Sequence, residues 1–249
     1  EGDCHDSGWQ TESTYIDRGL AMGGSYTYRV RARDLSASYN ETAWSEPITI
    51  ETRSEPDTAV LDPWHSMDIG SVYDPGSALY YAPGGVFTLA GSGQDIFGDR
   101  DGFHYVYQTW TGDATIIARL VSFDAVNKWA KAGVMIRETT NRSSAFAMML
   151  ISFGSGTSFQ WREGTLWEAD HRTPGNADGA PFWVRLDRRG DIFTGYASPD
   201  GIEWTEIGTR EVSMAAEVTI GLGVTAHDNT IEAAVARFDE VSINGGEAN

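Results

Sequence analysis

Three carboxylates within one short stretch, Asp95-Ile-Phe-Gly-Asp99-Arg-Asp101-Gly102, are the densest candidate for chemistry in this chain. Several acidic side chains on a glycine-bearing loop supply the oxygen ligands that a hard cation such as calcium takes. The spacing is not that of an EF-hand loop, because no bidentate glutamate follows at the twelfth position. The same residues also suit a solvated turn between strands, with Asp99 and Asp101 accepting from backbone amides.

A second group is aromatic. Phe159-Gln-Trp161-Arg162-Glu-Gly-Thr-Leu-Trp167-Glu-Ala-Asp170-His171-Arg172 gathers two tryptophans, two arginines, a histidine and acids into one hairpin. Flat aromatic rings stack on the C–H faces of sugars while polar neighbours bond the hydroxyls, and pockets of that mixed kind are the usual ligand sites. Trp129, Arg137, Trp161, Arg162, Trp167 and His171 are therefore the expected ligand-binding set. Tryptophan also fills cores, which is the expectation for Trp183 and Trp204. Arg137, in Val-Met-Ile-Arg-Glu, sits on an apolar strand where an unpaired charge is costly. It is expected to salt-bridge Glu138 or Asp170, or to line a polar groove.

Catalytic signatures are few. Gly-x-Ser-x-Gly and His-Glu-x-x-His do not occur, nor does the Glu-x-Asp-x-x-Glu strand on which a sandwich glycosidase sets its carboxylates. The chain is expected not to be an enzyme.

These residues are carried on strands. About twelve short segments rich in β-branched and aromatic residues run from Val86 to Ile243, punctuated by turns such as Arg189-Gly190-Asp191 and Ser198-Pro199-Asp200-Gly201. With no long amphipathic helix among them, they predict an all-β, two-sheet sandwich. Near the start, Tyr26, Tyr28, Val30 and Ala32 alternate with Thr27, Arg29, Arg31 and Arg33, the period of a half-buried strand. The chain reads as four parts: 1–54, a linker at 55–63, a sandwich at 64–244, and a flexible tail at 245–249.

Composition narrows the partners. The net charge of −18 argues against nucleic acid or an anionic membrane. No apolar run reaches the length of a membrane span. Cys4 is the single cysteine, which leaves no disulfide framework within the chain. Only two lysines occur, Lys128 and Lys131.

Two resemblances add to this. Gly8-Trp-Gln-Thr-Glu-Ser-Thr-Tyr, Ser25-Tyr-Thr-Tyr-Arg-Val-Arg-Ala-Arg-Asp and Thr42-Ala-Trp-Ser-Glu-Pro-Ile-Thr-Ile-Glu-Thr resemble the second half of a fibronectin type III domain. Such a domain needs about seven strands. The early ones are absent, so the chain is expected to be a piece of a longer protein or to be completed by a strand from a neighbouring copy. Gln94-Asp95-Ile-Phe-Gly-Asp-Arg-Asp101-Gly-Phe-His-Tyr-Val-Tyr, Trp129-Ala-Lys-Ala-Gly-Val-Met-Ile-Arg137, Pro181-Phe-Trp-Val-Arg185 and Ala236-Arg-Phe-Asp239-Glu-Val-Ser-Ile resemble a concanavalin A-like (laminin-G/lectin-like jelly-roll) sandwich of the DUF1349 kind. That resemblance implies a non-catalytic carbohydrate-binding or adhesive module of a secreted or cell-surface bacterial protein, with a polysaccharide or glycan as partner. It further implies a structural Ca2+ at Asp239, joined by Asp68 near the domain start, beside the Asp95, Asp99 and Asp101 loop. Alternatives are a subunit of an extracellular fibre and an accessory region of a polysaccharide-degrading enzyme.

Overall fold

The computed structural model describes residues 7–11, 15, 17, 20–21, 23–36, 38–52, 58–60, 62–174, 179–230 and 232–244. Cys4, residues 55–57 and 61 of the expected linker and the 245–249 tail lie outside these. The chain divides into two compact units, Glu1–Pro56 and Asp57–Asn249.

In the first unit, β1 (Ser25–Tyr28) pairs antiparallel with β2 (Ile48–Glu51), Tyr26 facing Ile50. The expected alternation holds only as far as Tyr28. Beyond it Val30 is 69% exposed, and Arg31 and Arg33 turn back to stack on aromatics. Arg31 lies over Trp9 and Trp44, and Arg33 over Trp9 and Tyr39.

The second unit is an antiparallel two-sheet sandwich. In chain order its strands are β3 (Thr58–Ala59), β4 (His65–Ile69), β5 (Ser77–Tyr81), β6 (Val86–Gly91), β7 (Phe103–Thr111), β8 (Ala114–Asp124) and β9 (Lys131–Arg137). They continue with β10 (Phe146–Ser152), β11 (Gly156–Arg162), β12 (Asp170–Arg172), β13 (Phe182–Arg189), β14 (Ile192–Ser198), β15 (Thr205–Glu211), β16 (Glu217–Thr225) and β17 (Ala234–Asn244). One sheet runs β12-β11-β10-β9-β16-β7-β4, the other β15-β14-β13-β8-β17-β6-β5-β3. Thr58 and Ala59, expected in the linker, pair instead with Tyr80 and Leu79. The predicted turns close β13 on β14 and β14 on β15. In the second, the Asp200 carboxylate accepts from the amides of Ile202 and Glu203.

The main core lies between the sheets. Ala132, Val134 and Ile136 of β9, Ala147, Met149 and Ile151 of β10, and Phe159 and Trp161 of β11 meet Ile116, Leu120, Val184, Leu186 and Phe238 of the facing sheet. The outer face of the seven-stranded sheet is buried as well. Met135, Phe146, Met148 and Leu150 pack there with Phe103 and Tyr105 of β7 and with Ile96 of the Gly91–Gly102 segment. Strands β9, β10 and β11 are thus buried at every position, covered on both faces as strands of α/β sheets are.

That segment is bolted down by its backbone. Thr225 Oγ1 donates to the carbonyls of Gly93 and Gly102 at 3.0 Å each, and the Asp228 amide donates to Gly93 at 2.9 Å. Gly93 holds φ +111° with the Gly102 carbonyl oxygen 2.2 Å from where a Cβ would sit, so only glycine fits.

Candidate ligand-binding cleft

Pairing across β9, β10 and β11 lines up outward side chains in rows. At one end Arg162, Phe146 and Arg137 stand abreast; next come Gln160, Met148 and Met135, then Ser158, Leu150 and Gly133, and last Gly156, Ser152 and Lys131. The Gly91–Gly102 segment covers the first row and leaves a cleft of about 210 Å3 over the others.

Over the covered row, Asp101 sits between two arginines. Arg162 donates from Nη1 and Nη2 to Oδ2 and Oδ1 at 2.8 and 2.6 Å, and Arg137 Nη1 lies 2.6 Å from the shared Oδ2. All three side chains are fully buried. Arg162 also holds the Gly98 carbonyl at 2.9 Å, and both guanidiniums lie against the Phe146 ring, at 4.9 Å for Arg162 and 5.7 Å for Arg137. Burial pulls the Arg137 pKa down despite the Asp101 charge. Neither arginine faces the cleft. The expected partners of Arg137, Glu138 and Asp170, are replaced by Asp101, because only an anion reaching down from the covering loop meets a guanidinium on the outer face.

The remaining carboxylates are also occupied. Asp95 pairs with Lys131 and lies 3.1 Å from His227 Nδ1. Burial alone would raise the Asp95 pKa, but the His227 hydrogen bond and the Lys131 charge together hold it below the usual carboxylate range. Asp99 points to solvent beside Arg100. Asp239 takes a two-toothed contact from Arg119 at 2.7 and 2.5 Å. Asp68 faces His104 and accepts from the Gly76 amide. Asp95, Asp99 and Asp101 do not converge, and Asp68 and Asp239 each have other partners. Among the described residues no group of three or more His, Cys, Asp or Glu could hold a metal ion. The residues therefore do not fit a calcium cage.

The cleft has one wall of Asp95, Phe97 and His227, a floor of Leu150, Ser158 and Gln160, and Trp129 and His171 at its margins. Trp129 is 44% exposed; its amide donates to Asn127 Oδ1 at 2.9 Å and its ring carries Lys128 at 5.1 Å. Phe97 meets the His171 ring edge-on at 5.6 Å. Gln160 is 5% exposed, and its Oε1 has no hydrogen-bond partner. A buried acceptor left unpaired is costly unless something enters to donate to it. An exposed indole, two imidazoles, serine hydroxyls and one free acceptor suit a polyhydroxylated ligand that offers both a C–H face and an O–H donor.

Trp161 lies on the inner face, 8% exposed, against Phe159 at 5.3 Å, with Arg210 over it. Trp167 is exposed on a different cleft, with Glu163 and Arg210. Of the expected site residues, Asp95, Trp129 and His171 thus come together. Lys131, Gln160 and His227 join them unforeseen. Two signals were available. Lys131 is a lone lysine in an apolar strand, and Gln160 alternates with two core aromatics.

A family model described as "Protein of unknown function (DUF1349)" matches residues 92–245. No curated protein matches the chain. Among solved structures, a functionally unknown protein from Saccharomyces cerevisiae is similar over 74% of this chain and 96% of its own, at 17% identity and TM-score 0.58. A xylan β-1,4-xylosidase from Bacillus halodurans is similar over 79% of this chain but 41% of its own, at 13% identity and TM-score 0.52. The carbohydrate binding module CBM66 from Bacillus subtilis is similar over 76% of this chain and 99% of its own, at 14% identity and TM-score 0.45. At these identities the likeness to the first two speaks for the sandwich fold alone.

Proposed function

This chain belongs to the DUF1349 family, and from the cleft on its seven-stranded sheet we propose that it is a carbohydrate-binding module that holds a glycan segment without cleaving glycosidic bonds. One observation carries the proposal: Gln160, whose buried Oε1 takes no hydrogen bond from any protein group, lines a cleft whose margin is the exposed Trp129 indole. The ligand class that follows is neutral. The cleft's one lysine is spent on Asp95, and the net charge of −18 disfavours anionic sugars. The proposal includes a place outside the cell, within a longer modular protein whose preceding part is of fibronectin type III kind. Titration of the chain with soluble neutral oligosaccharides tests it. Saturable binding that is lost in Gln160→Leu supports the proposal, and binding that survives this change rejects the site.

A second reading is favoured by β2, in which every residue is exposed, Ile48 at 66% and Ile50 at 49%. We propose that such an edge accepts a strand from a neighbouring copy. Concentration-dependent growth in light scattering supports this reading, and a monomer at all concentrations rejects it.

A further inference from the structure

Ser66 and Asp68 alternate on β4, the edge strand of the seven-stranded sheet, and β7 places His104 directly opposite Asp68. Ser66 Oγ lies 2.9 Å from His104 Nε2, and Asp68 Oδ1 lies 2.8 Å from His104 Nδ1. A hydroxyl, an imidazole and a carboxylate linked in this order, through opposite ring nitrogens, have the geometry of an activated nucleophile. Its exposure follows the same logic: the Ser66 residue is exposed, the His104 side chain is 3% exposed and Asp68 is partly covered.

The imidazole is held rather than merely packed. A Cβ on Gly76 would sit 2.2 Å from His104 Nδ1, and one on Gly91 would sit 2.9 Å from His104 Cβ, so the Gly76 backbone abuts the ring and the Gly91 backbone abuts the root of the side chain. The Gly76 amide donates to both Asp68 oxygens at 3.1 Å, which fixes the carboxylate. Structural support alone does not need the exposed hydroxyl at the far end. We propose that Ser66 and His104 are a catalytic pair for acyl transfer, with Asp68 as the positioning residue.

Ser66 Oγ would attack an ester carbonyl carbon as its proton passes to His104 Nε2. The bond from that carbon to the alcohol oxygen then breaks, and the alcohol leaves with the proton from Nε2. Water repeats the sequence, giving up a proton to Nε2, which returns it to Ser66 as the acid leaves. Ser66 does not line the proposed glycan cleft, and it stands on β4, the last strand of its sheet. The substrate class is therefore a short acyl ester, carried on a molecule that reaches the edge from outside. This inference does not rest on the glycan-binding proposal, and either can fail alone.

The test is labelling of the full chain with an alkyl fluorophosphonate, read by intact mass and peptide mapping, beside hydrolysis of p-nitrophenyl acetate. A single adduct on the Ser66 peptide is expected, absent from S66A, which removes only an exposed hydroxyl; its near-UV circular dichroism checks the fold. D68N, which keeps Ser66 but misorients the imidazole, is expected to slow labelling at pH 7 by at least about 100-fold and to change the pH profile of the rate. No adduct on the wild type, an adduct elsewhere, or equal ester hydrolysis by S66A overturns the proposal.

Discussion

Replacing Asp101 with asparagine removes the only anion from a buried trio and leaves the Arg137 and Arg162 guanidiniums facing each other at zero exposure. Breaking a buried ion pair by deleting one partner costs about 3–5 kcal/mol, because an uncompensated charge stays in the interior. For a unit of this size, each kcal/mol moves Tm by about 2–4 °C. D101N should therefore lower Tm by roughly 6–20 °C, read by circular dichroism or calorimetry. The loss should fall on the Gly91–Gly102 segment first, since Arg162 also holds the Gly98 carbonyl there. Asp99→Asn is the control. Asp99 faces solvent beside Arg100, and its change should stay within about 0.5 kcal/mol. A loop held by calcium would behave otherwise: EDTA would do to the wild type what D101N does, and D99N would be as harmful. A D101N shift below about 3 °C would refute the view that the trio holds the loop.

Other consequences are direct. Asp95 has a lowered folded-state pKa, so the stability it contributes is present above its unfolded value of about 4 and is lost as pH falls through the folded value. The Tm gap between wild type and D95N should accordingly stand at pH 5 and shrink below about pH 4 in melts across pH. Gly93→Ala should cost at least about 2 kcal/mol in urea unfolding, because a Cβ at φ +111° meets the Gly102 carbonyl at 2.2 Å. Gln160→Leu should leave urea stability unchanged or raise it, by removing a buried acceptor to which no protein group donates.

Much of the sandwich is legible in the chain because β-branched and aromatic segments alternate with turns whose chemistry is local. Asp200 and Gly201 encode their hairpin within four residues. Two strands were not visible: His65–Ile69, whose partner β7 lies far along the chain, and Ser77–Tyr81, which pairs with the adjacent β6; neither shows a clear apolar period. The arginines misled for a related reason. Nothing near Arg137 or Arg162 in sequence announces Asp101, which arrives on a loop folded over the outer face. Three layers, sheet, sheet and loop, make Phe146–Ser152 apolar throughout, and such a run does not say which face is core. Trp129 and His171 were recognisable because their types suit sugar binding whichever face they occupy. Gln160 needed the structure, because its significance lies in a missing partner.

Binding of neutral oligosaccharides by the cleft is the central claim, and isothermal titration of the wild-type chain with a xylo-, manno- and cello-oligosaccharide panel tests it most directly, with Trp129→Ala run beside it. Trp129 is exposed and makes no core contact, so W129A should melt with the wild type. The account predicts saturable binding to at least one of these sugars and a loss of about 10-fold or more in W129A, the weight of an aromatic stacking contact of roughly 1.5 kcal/mol. Binding of equal affinity in W129A, or no binding to any of the panel by the wild type, would contradict it.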